Sequence, residues 1–229
     1  MRLLSRRAIT VTTLLCAAAC APAGPADAPA AIDAVVLPAG ATRVTIDSEL
    51  PADGHRDYTI ELAAGQLFTV FASAAVDLEV TVAHDGEAVA PAVSNAHYWA
   101  GYAADAGTYT VRVAGPAGTV YDVSLHKPRR ILADAAQRLS VLAGSVAAHG
   151  EVDYVVRAAE GDRVTAELRS DVAALYISVT RVHDGVVLLD HVSEADALET
   201  VADADGDYLI SVVAGATPAE YSLIVGHGK

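Results

Sequence analysis

The chain repeats itself at a spacing of about one hundred residues, and this duplication constrains its fold more than any other feature. The stretch DYTIELAAGQ at 57–66 returns as DYVVRAAEGD at 153–162, an offset of 96. The stretch GTYTVRV at 107–113 returns as GDYLISV at 206–212, an offset of 99. A period of this length is too long for the unit of a solenoid and fits a duplicated domain. We therefore expect two domains of the same fold in tandem.

Within each copy, apolar and polar residues alternate with a period of two. Tyr109, Val111 and Val113 alternate with Thr110 and Arg112, and the second copy shows the same pattern in GDYLISV. Alternation of this kind places one face of a strand in a core and the other in water. Turn-forming Gly, Asp, Asn and Pro separate the runs at short intervals, as in sandwiches and jelly rolls. The predicted fold class is all-β, with two tandem antiparallel β-sandwich (jelly-roll-like) domains.

Several strand motifs follow one another in a fixed order in the first copy. DYTIELAAGQ is followed by VDLEVTVAHDGEAV at 76–89, AGTYTVRVAG at 106–115 and YDVSL at 121–125. This order resembles the bacterial pre-peptidase C-terminal domain, with Asp77 in its VDL motif and Tyr109 in its GTY motif. The second copy departs from the pattern because AALYISV has no aspartate at the position of Asp77.

The resemblance covers most of residues 40–226 and implies a jelly-roll-like β-sandwich for each copy. Members of this family are usually appended to secreted peptidases and other hydrolases, where they are linked to binding, secretion or maturation. The two copies leave no part of the chain over for an enzyme domain. The resemblance therefore favours a binding or accessory role over catalysis.

The N-terminus has the layout of a secretory signal peptide. Arg2, Arg6 and Arg7 precede a short apolar stretch, which is too short for a membrane-spanning helix. The run AAAC ending at Cys20 resembles a bacterial lipobox, although the family favours a large aliphatic residue at the place of Ala17. We expect Cys20 to be lipidated. Ordinary secretion with cleavage after residue 19 remains the alternative, and the arginine pair leaves open whether export is by the general or the twin-arginine route.

The expected organisation has five parts. They are a lipoprotein-type signal peptide at 1–19, a flexible Ala/Pro-rich tether at 20–35, a first sandwich at 36–126, a linker at 127–136 and a second sandwich at 137–229. The protein is expected outside the cytoplasm, on the periplasmic side or at the cell surface, and attached to the membrane only through its N-terminal lipid.

The chain is strongly acidic. It has 15 Lys and Arg against 29 Asp and Glu, and a formal net charge of −14. Loss of the three arginines with the signal makes the mature net charge −17. Nucleic-acid binding needs a basic footprint, so this class of partner is excluded. The acidity also argues against binding anionic lipid through the protein surface.

His-Asp-Gly occurs at equivalent places in both copies, at 84–86 and 183–185. Asp-Gly between two alternating runs is a strong hairpin signal, because a type I′ turn needs positive φ at both central residues. A metal site would need three or four converging ligands, which neither hairpin supplies from nearby sequence. We interpret the repeated motif as two turns, and no metal site is predicted from it.

Three aspartates alternate along the stretch ADADGDY at 202–208. Asp203, Asp205 and Asp207 are weak calcium candidates because carboxylate oxygens are the ligands that Ca²⁺ prefers. The stretch lacks the glycine and glutamate spacing of an EF-hand loop. The alternative is a polar turn before a strand.

The stretch NAHYWAGY at 95–102 has no counterpart in the second copy, which reads EADALET at the matching positions. Trp99 aligns with Leu198 of the second copy. The alternative for Trp99 is therefore an ordinary position in the apolar core. Exposed aromatic residues are enriched in recognition surfaces. We therefore predict a partner-binding surface at His97, Tyr98, Trp99 and Tyr102.

No catalytic or cofactor-binding motif is found. The sequence has no G-x-S-x-G and no H-E-x-x-H, and its cysteines are Cys16, inside the signal, and Cys20. We expect a protein that is not an enzyme and has no cofactor. The leading hypothesis is a lipid-anchored binding protein for an envelope protein or glycan. The alternative is an inhibitor or accessory module of a secreted hydrolase, such as a peptidase or a lysozyme.

Overall fold

The computed structural model describes residues 32–38, 40–95, 97–132, 139–193 and 195–228. The predicted signal peptide, Cys20 and most of the predicted tether lie outside these ranges. Within the described ranges no helix has the length and apolar character needed to cross a membrane.

The described chain is built almost entirely of β-strands. The strands of the N-terminal half are β1 (Ile32–Ala34), β2 (Arg43–Glu49), β3 (His55–Leu62), β4 (Leu67–Ala74), β5 (Glu79–His84), β6 (Glu87–Ala88), β7 (Val93–Ser94), β8 (Tyr98–Tyr102), β9 (Gly107–Ala114) and β10 (Val120–His126). Those of the C-terminal half are β11 (Arg129–Arg130), β12 (Leu139–Val146), β13 (Glu151–Ala158), β14 (Arg163–Arg169), β15 (Leu175–Arg181), β16 (Val187–Leu189), β17 (Ala197–Val201), β18 (Gly206–Ala214) and β19 (Ala219–Gly228). A short 3₁₀ helix spans His191–Ser193.

The strands form four sheets, two in each half. Sheet 1a has the order β1-β3-β9-β5-β6, and sheet 1b has the order β2-β10-β4-β8-β7. Sheet 2a has the order β11-β13-β18-β15-β16, and sheet 2b has the order β12-β19-β14-β17. Sheet 2a repeats the connectivity of sheet 1a, and sheet 2b repeats that of sheet 1b without a counterpart of β7. The prediction of an all-β chain with two tandem β-sandwiches is therefore confirmed.

Each half buries its own apolar core between its two sheets. In sandwich 1 the alternation of β3 places Tyr58, Ile60 and Leu62 in the core, all at most 5% exposed. In sandwich 2 the corresponding strand β13 places Val152, Tyr154, Val156 and Ala158 in the core. A buried tyrosine pair recurs in both cores. The Tyr58 and Tyr121 hydroxyls lie 2.6 Å apart, and the equivalent hydroxyls of sandwich 2 lie 2.8 Å apart.

The structure corrects the predicted tether and linker at two short stretches. β1 lies in the predicted tether and pairs in parallel with β3, while β11 lies in the predicted linker and pairs in parallel with β13. All other strand pairs described are antiparallel. Strands of two or three residues are too short to show an alternating pattern, so the sequence gives no signal for them.

The strand registers define which residues of the two copies are equivalent. Asp57 pairs with Arg112 in sandwich 1, and Asp153 pairs with Ser211 at the same place in sandwich 2. Phe71 pairs with Tyr98, and at the same place Glu167 pairs with Ala197. Each residue of one sandwich can thus be compared with its equivalent in the other sandwich, and we call this the internal comparison.

Candidate functional site at the junction of the sandwiches

The outward face of sheet 1b packs against the outward face of sheet 2a. The two sandwiches belong to one compact unit, and a separate apolar cluster joins them. Its buried members are Leu67, Tyr98 and Ala100 from sandwich 1 and Val155, Val182 and Leu209 from sandwich 2. Sandwich 1 therefore docks through one kind of sheet and sandwich 2 through the other, which makes the contact head-to-tail rather than two-fold.

A buried polar network lies beside this apolar cluster. His126 Nδ1 lies 2.8 Å from Asp153 Oδ2 across the junction, and both side chains are at most 3% exposed. Ser211 Oγ donates to Asp153 Oδ1 at 2.6 Å, and the Asp153 amide donates to Thr42 Oγ1 at 2.7 Å. The carboxylate of sandwich 2 is thus held by groups from both sandwiches, as buried charge requires.

Burial and hydrogen bonding shift the pKa of the buried Asp153 carboxyl group in opposite directions. Burial raises the pKa of Asp153, but the neighbouring His126 and the hydrogen bonds from His126 and Ser211 outweigh it and lower the pKa. Burial and the charge of Asp153 raise the pKa of Glu151, and Arg43 offsets only part of this. Arg43 reaches across from sandwich 1 to form an ion pair with Glu151 and donates to Ser124 Oγ at 3.0 Å.

A second polar contact crosses the junction at Asp207, whose side chain is fully buried. The Tyr102 hydroxyl of sandwich 1 donates to Asp207 Oδ2 at 2.9 Å, and within sandwich 2 Arg130 Nη2 lies 2.6 Å from the same oxygen. Burial and the adjacent carboxylate raise the pKa of Tyr102 to about 12. The phenol therefore stays protonated and able to donate at neutral pH.

An open cleft of about 1120 Å³ lies between the two sandwiches, next to the polar network. Its walls come from both copies, with Arg43, Thr45, Phe71 and Ser73 on one side and Ser145 and Ser178 on the other. Phe71 is 38% exposed and contacts Tyr98 and His126, with ring centroids 4.6 Å and 5.1 Å away. The cleft thus exposes the Phe71 ring, which packs on Tyr98 and His126, in a wall that also carries hydroxyl and charged groups.

The polar network does not have the geometry of an activated nucleophile. A serine nucleophile needs a histidine between itself and the carboxylate. Here Ser211 and His126 both bond to Asp153, so the carboxylate stands in the middle.

Potential metal-ligand atoms of His126, Glu151 and Asp153 lie within 4.8 Å of one another, so these three side chains could hold a metal. In the structure described, His126 bonds to Asp153 and Glu151 pairs with Arg43.

The predicted aromatic surface lies mostly inside the molecule. Tyr98 is 5% exposed in the junction, Trp99 is 3% exposed in the core of sandwich 1, and Tyr102 is half-buried. His97 is exposed, with its Nε2 3.7 Å from an Asp77 carboxylate oxygen. The prediction of a single exposed aromatic surface is therefore wrong. The surface that Tyr98 and Tyr102 contact in the structure is the second sandwich of the same chain.

The three aspartates considered for calcium are engaged by different protein groups. Asp203 pairs with Arg181, and the Glu160 amide donates to Asp205 Oδ1 at 2.7 Å. Asp207 lies in the junction described above. The group of potential metal-ligating side chains found in the described residues is the one around His126, not these three.

The repeated histidines pack over glycines. The His84 ring stacks on Tyr109, with centroids 4.3 Å apart, and a Cβ at Gly107 would lie 2.7 Å from its Cε1. In sandwich 2 a Cβ at Gly206 would lie 2.9 Å from His183 Nδ1. Both sandwiches thus place the histidine of the motif over the glycine that opens the neighbouring strand of the sheet, β9 in sandwich 1 and β18 in sandwich 2.

Of the junction residues, Tyr98, Tyr102 and Asp207 were predicted from the sequence in other roles and the rest were missed, although the internal comparison contained a signal for them. Val155 and Leu209 pair with each other on the docked face of sheet 2a, where the free face of sheet 1a carries Thr59 and Thr110. An apolar pair in one copy and a threonine pair in the other marks a face that is covered in only one of them. The sequence carries this difference, but the register needed to recognise it comes from the structure.

Comparisons with known proteins show no family for the chain. No family model matches the sequence, and no curated protein does. Among solved structures, a periplasmic inhibitor of g-type lysozyme, PliG of Aeromonas hydrophila, is 16% identical with a TM-score of 0.36, over 44% of this chain and 95% of that one. PliG of Salmonella Typhimurium is 16% identical with a TM-score of 0.35, over 44% and 97%. The CUB1-EGF-CUB2 domains of human MASP-1/3 are 11% identical with a TM-score of 0.27, over 82% and 100%.

Proposed function

We propose that this chain is a non-catalytic, lipid-anchored binding protein of the cell envelope, and that the cleft between its sandwiches holds a glycan. The observation that carries the proposal is the cleft itself, which has walls from both copies and an exposed Phe71 at its surface. Ligand sites in proteins are concave and combine apolar surface with a few placed polar groups, and the cleft has this composition.

The chemistry of the cleft favours a saccharide over a folded protein. A sugar ring offers an apolar face to an aromatic side chain and hydroxyl groups to hydrogen-bonding partners. Thr45, Ser73, Ser145 and Ser178 supply small hydroxyl groups around Phe71. Arg43 is already fixed by Glu151 and Ser124, so it loses little conformational freedom on binding.

The non-catalytic part of the proposal is supported by the arrangement around Asp153, in which the carboxylate separates Ser211 from His126. The location outside the cytoplasm and the anchor at Cys20 are supported by the sequence of the first 20 residues. These residues lie outside the described ranges, so this support is independent of the cleft.

The test is binding of the chain lacking residues 1–20 to an array of envelope glycans, including peptidoglycan fragments. The variant Ser73→Trp places a large side chain in the cleft at an exposed strand position, and we expect it to weaken binding at least tenfold. The control Thr110→Trp lies on the free outward face of sheet 1a and should bind like the wild type.

Equal weakening by both variants, or no glycan bound by the wild type, would contradict the proposal.

A hydrolase inhibitor is the second candidate, and the mature net charge of −17 favours it because an acidic protein attracts a basic enzyme. Absence of glycan binding together with inhibition of a basic lysozyme that fades as salt is raised would favour that candidate.

A further inference from the structure

One edge of sheet 2b differs from the other sheet edges in the described chain. The edge strands β1, β6, β7, β11 and β16 are only two or three residues long. The edge strand β17 has five residues and carries Glu199 in an ion pair with Arg163. The edge strand β12 has eight residues, LSVLAGSV, and none of them is charged. Long uncharged edge strands expose unpaired backbone groups that can pair with another chain, and proteins usually avoid them.

The internal comparison shows that the fold does not require this edge. β2 is the equivalent edge strand of sandwich 1, since Ser48 pairs with Tyr121 as Gly144 pairs with Tyr221. β2 has the sequence RVTIDSE and carries charged residues at the positions that correspond to Leu139 and Ala143. An uncharged edge is therefore a property of the second copy alone.

The outward face of β12 is apolar and open to solvent. Leu139 is 60% exposed and Val141 is 67% exposed. In the adjacent strand β19, the uncharged Gly226, Ile224 and Ser222 lie beside Leu139, Val141 and Ala143, and Glu220 lies beside Ser145 at the other end of β12. The side chains on the opposite face, such as Leu142, pack against the core of sandwich 2. The exposed residues are thus not needed to fill that core.

We propose that β12 pairs antiparallel with β12 of a second copy of this chain, so that sheet 2b continues across a two-fold axis. Two identical strands pair antiparallel by a self-complementary contact, in which each copy covers the Leu139 and Val141 region of the other. The composition of the edge strand favours this occupant. Two copies that each carry a net charge of −17 repel, and β12 is an edge at which they can pair without placing a charged strand residue against its own copy.

A head-to-tail repetition of the junction does not explain the exposed residues. On the free face of sheet 2b, Arg163 and Glu167 stand where Leu67 and Phe71 stand on the docked face of sheet 1b. On the free face of sheet 1a, threonines replace the apolar pair of sheet 2a. The free faces therefore lack the residues that join the sandwiches, and the second copy is assigned to the edge of β12.

The test is sedimentation equilibrium of the chain lacking residues 1–20 over a wide range of concentration. We expect a monomer–dimer equilibrium, and Val141→Lys should weaken it at least tenfold. The matched control is Val201→Lys, since Val201 is 65% exposed on β17, the opposite edge of the same sheet, and it should dimerise like the wild type. Leu139→Lys provides a second disrupting variant, and circular dichroism checks that each variant is folded.

A monomer at every concentration, open-ended assembly, or equal weakening by the two Val→Lys variants would overturn the proposal. Cross-linking gives an independent measurement, because the chain lacking residues 1–20 has no cysteine. A bismaleimide should link Val141→Cys into a covalent dimer, whereas Val201→Cys should form the dimer without being cross-linked. The reverse pattern, or equal linking of both variants, would also overturn it.

Discussion

The aspartate of the repeated Asp-Tyr motif shows how one residue serves two settings. In sandwich 1, Asp57 accepts two hydrogen bonds from Arg112, each 2.7 Å long, on the free face of sheet 1a. In sandwich 2 its equivalent, Asp153, accepts from His126 of the other sandwich and from Ser211. The recurrence of the aspartate is visible in the sequence. Its partners are not, because they come from strands whose register the sequence leaves open.

We predict that Asp57→Asn lowers stability at neutral pH and that this effect disappears in acid. The hydrogen bonds from Arg112 lower the pKa of Asp57, against the effect of burial. A carboxyl group with a lowered pKa in the folded state stabilises the fold above its unfolded pKa of about 3.9, and the stabilisation is lost as the pH falls through the folded pKa. We expect a loss of about 1–2 kcal/mol at pH near 7, because the pair is charged but partly exposed.

Urea unfolding followed by the fluorescence of Trp99 measures this, because Trp99 is the chain's one tryptophan and lies in the core of sandwich 1. The difference between wild type and variant should narrow from pH near 7 to pH near 3. A difference that stays constant over this range would show that the pair does not contribute through its charge.

At the scale of single elements, the two His-Asp-Gly hairpins share their packing but not their turn. In the first hairpin Asp85 and Gly86 both have positive φ, at 51° and 82°, as the predicted type I′ turn requires. In the second, Gly185 alone of the pair has positive φ, and the pairing of β15 with β16 is irregular. The strands themselves follow the alternation of the sequence, whereas turn geometry depends on the pairing of the strands that flank it.

We predict that Gly206→Ala destabilises sandwich 2 because of the overlying His183. The new Cβ would lie 2.9 Å from His183 Nδ1, and crowding in a packed region costs about 1–3 kcal/mol. His183→Ala in the same chain should remove most of this loss. A double-mutant cycle measured by thermal or urea unfolding gives the coupling between the two positions. Additive effects would mean that the histidine does not cause the loss.

At the scale of the whole molecule, the differences between the copies are explained largely by which face is covered. The stretch NAHYWAGY has no counterpart because Tyr98 and Tyr102 belong to the docked face of sheet 1b. A buried interface between domains and an exposed recognition surface have the same aromatic signature in a sequence. The pattern of the sequence therefore predicts both sandwiches, but not the contact that joins them.

We predict that Val155→Thr with Leu209→Thr loosens the docking of the sandwiches without unfolding either one. These changes give the docked face of sheet 2a the residues that the free face of sheet 1a has, and they leave the core of sandwich 2 intact. The lost burial amounts to about 2–4 kcal/mol. Small-angle X-ray scattering should show a larger radius of gyration for this variant at unchanged circular dichroism.

The control is Val187→Thr with Val201→Thr, which makes the same kind of change at two exposed positions of sandwich 2. Its radius of gyration should equal that of the wild type. An unchanged radius for the junction variant would show that Val155 and Leu209 are not needed to hold the sandwiches together.

The walls of the cleft come from both copies, so the cleft exists only while the sandwiches are docked. Docking and ligand binding are therefore thermodynamically linked. A ligand that touches both walls strengthens the contact between the sandwiches by the same factor by which docking strengthens the ligand's affinity. For the glycan site proposed above, duplication thus supplies a coupling that neither copy has alone, in which the strength of the contact between the sandwiches sets the affinity for the glycan.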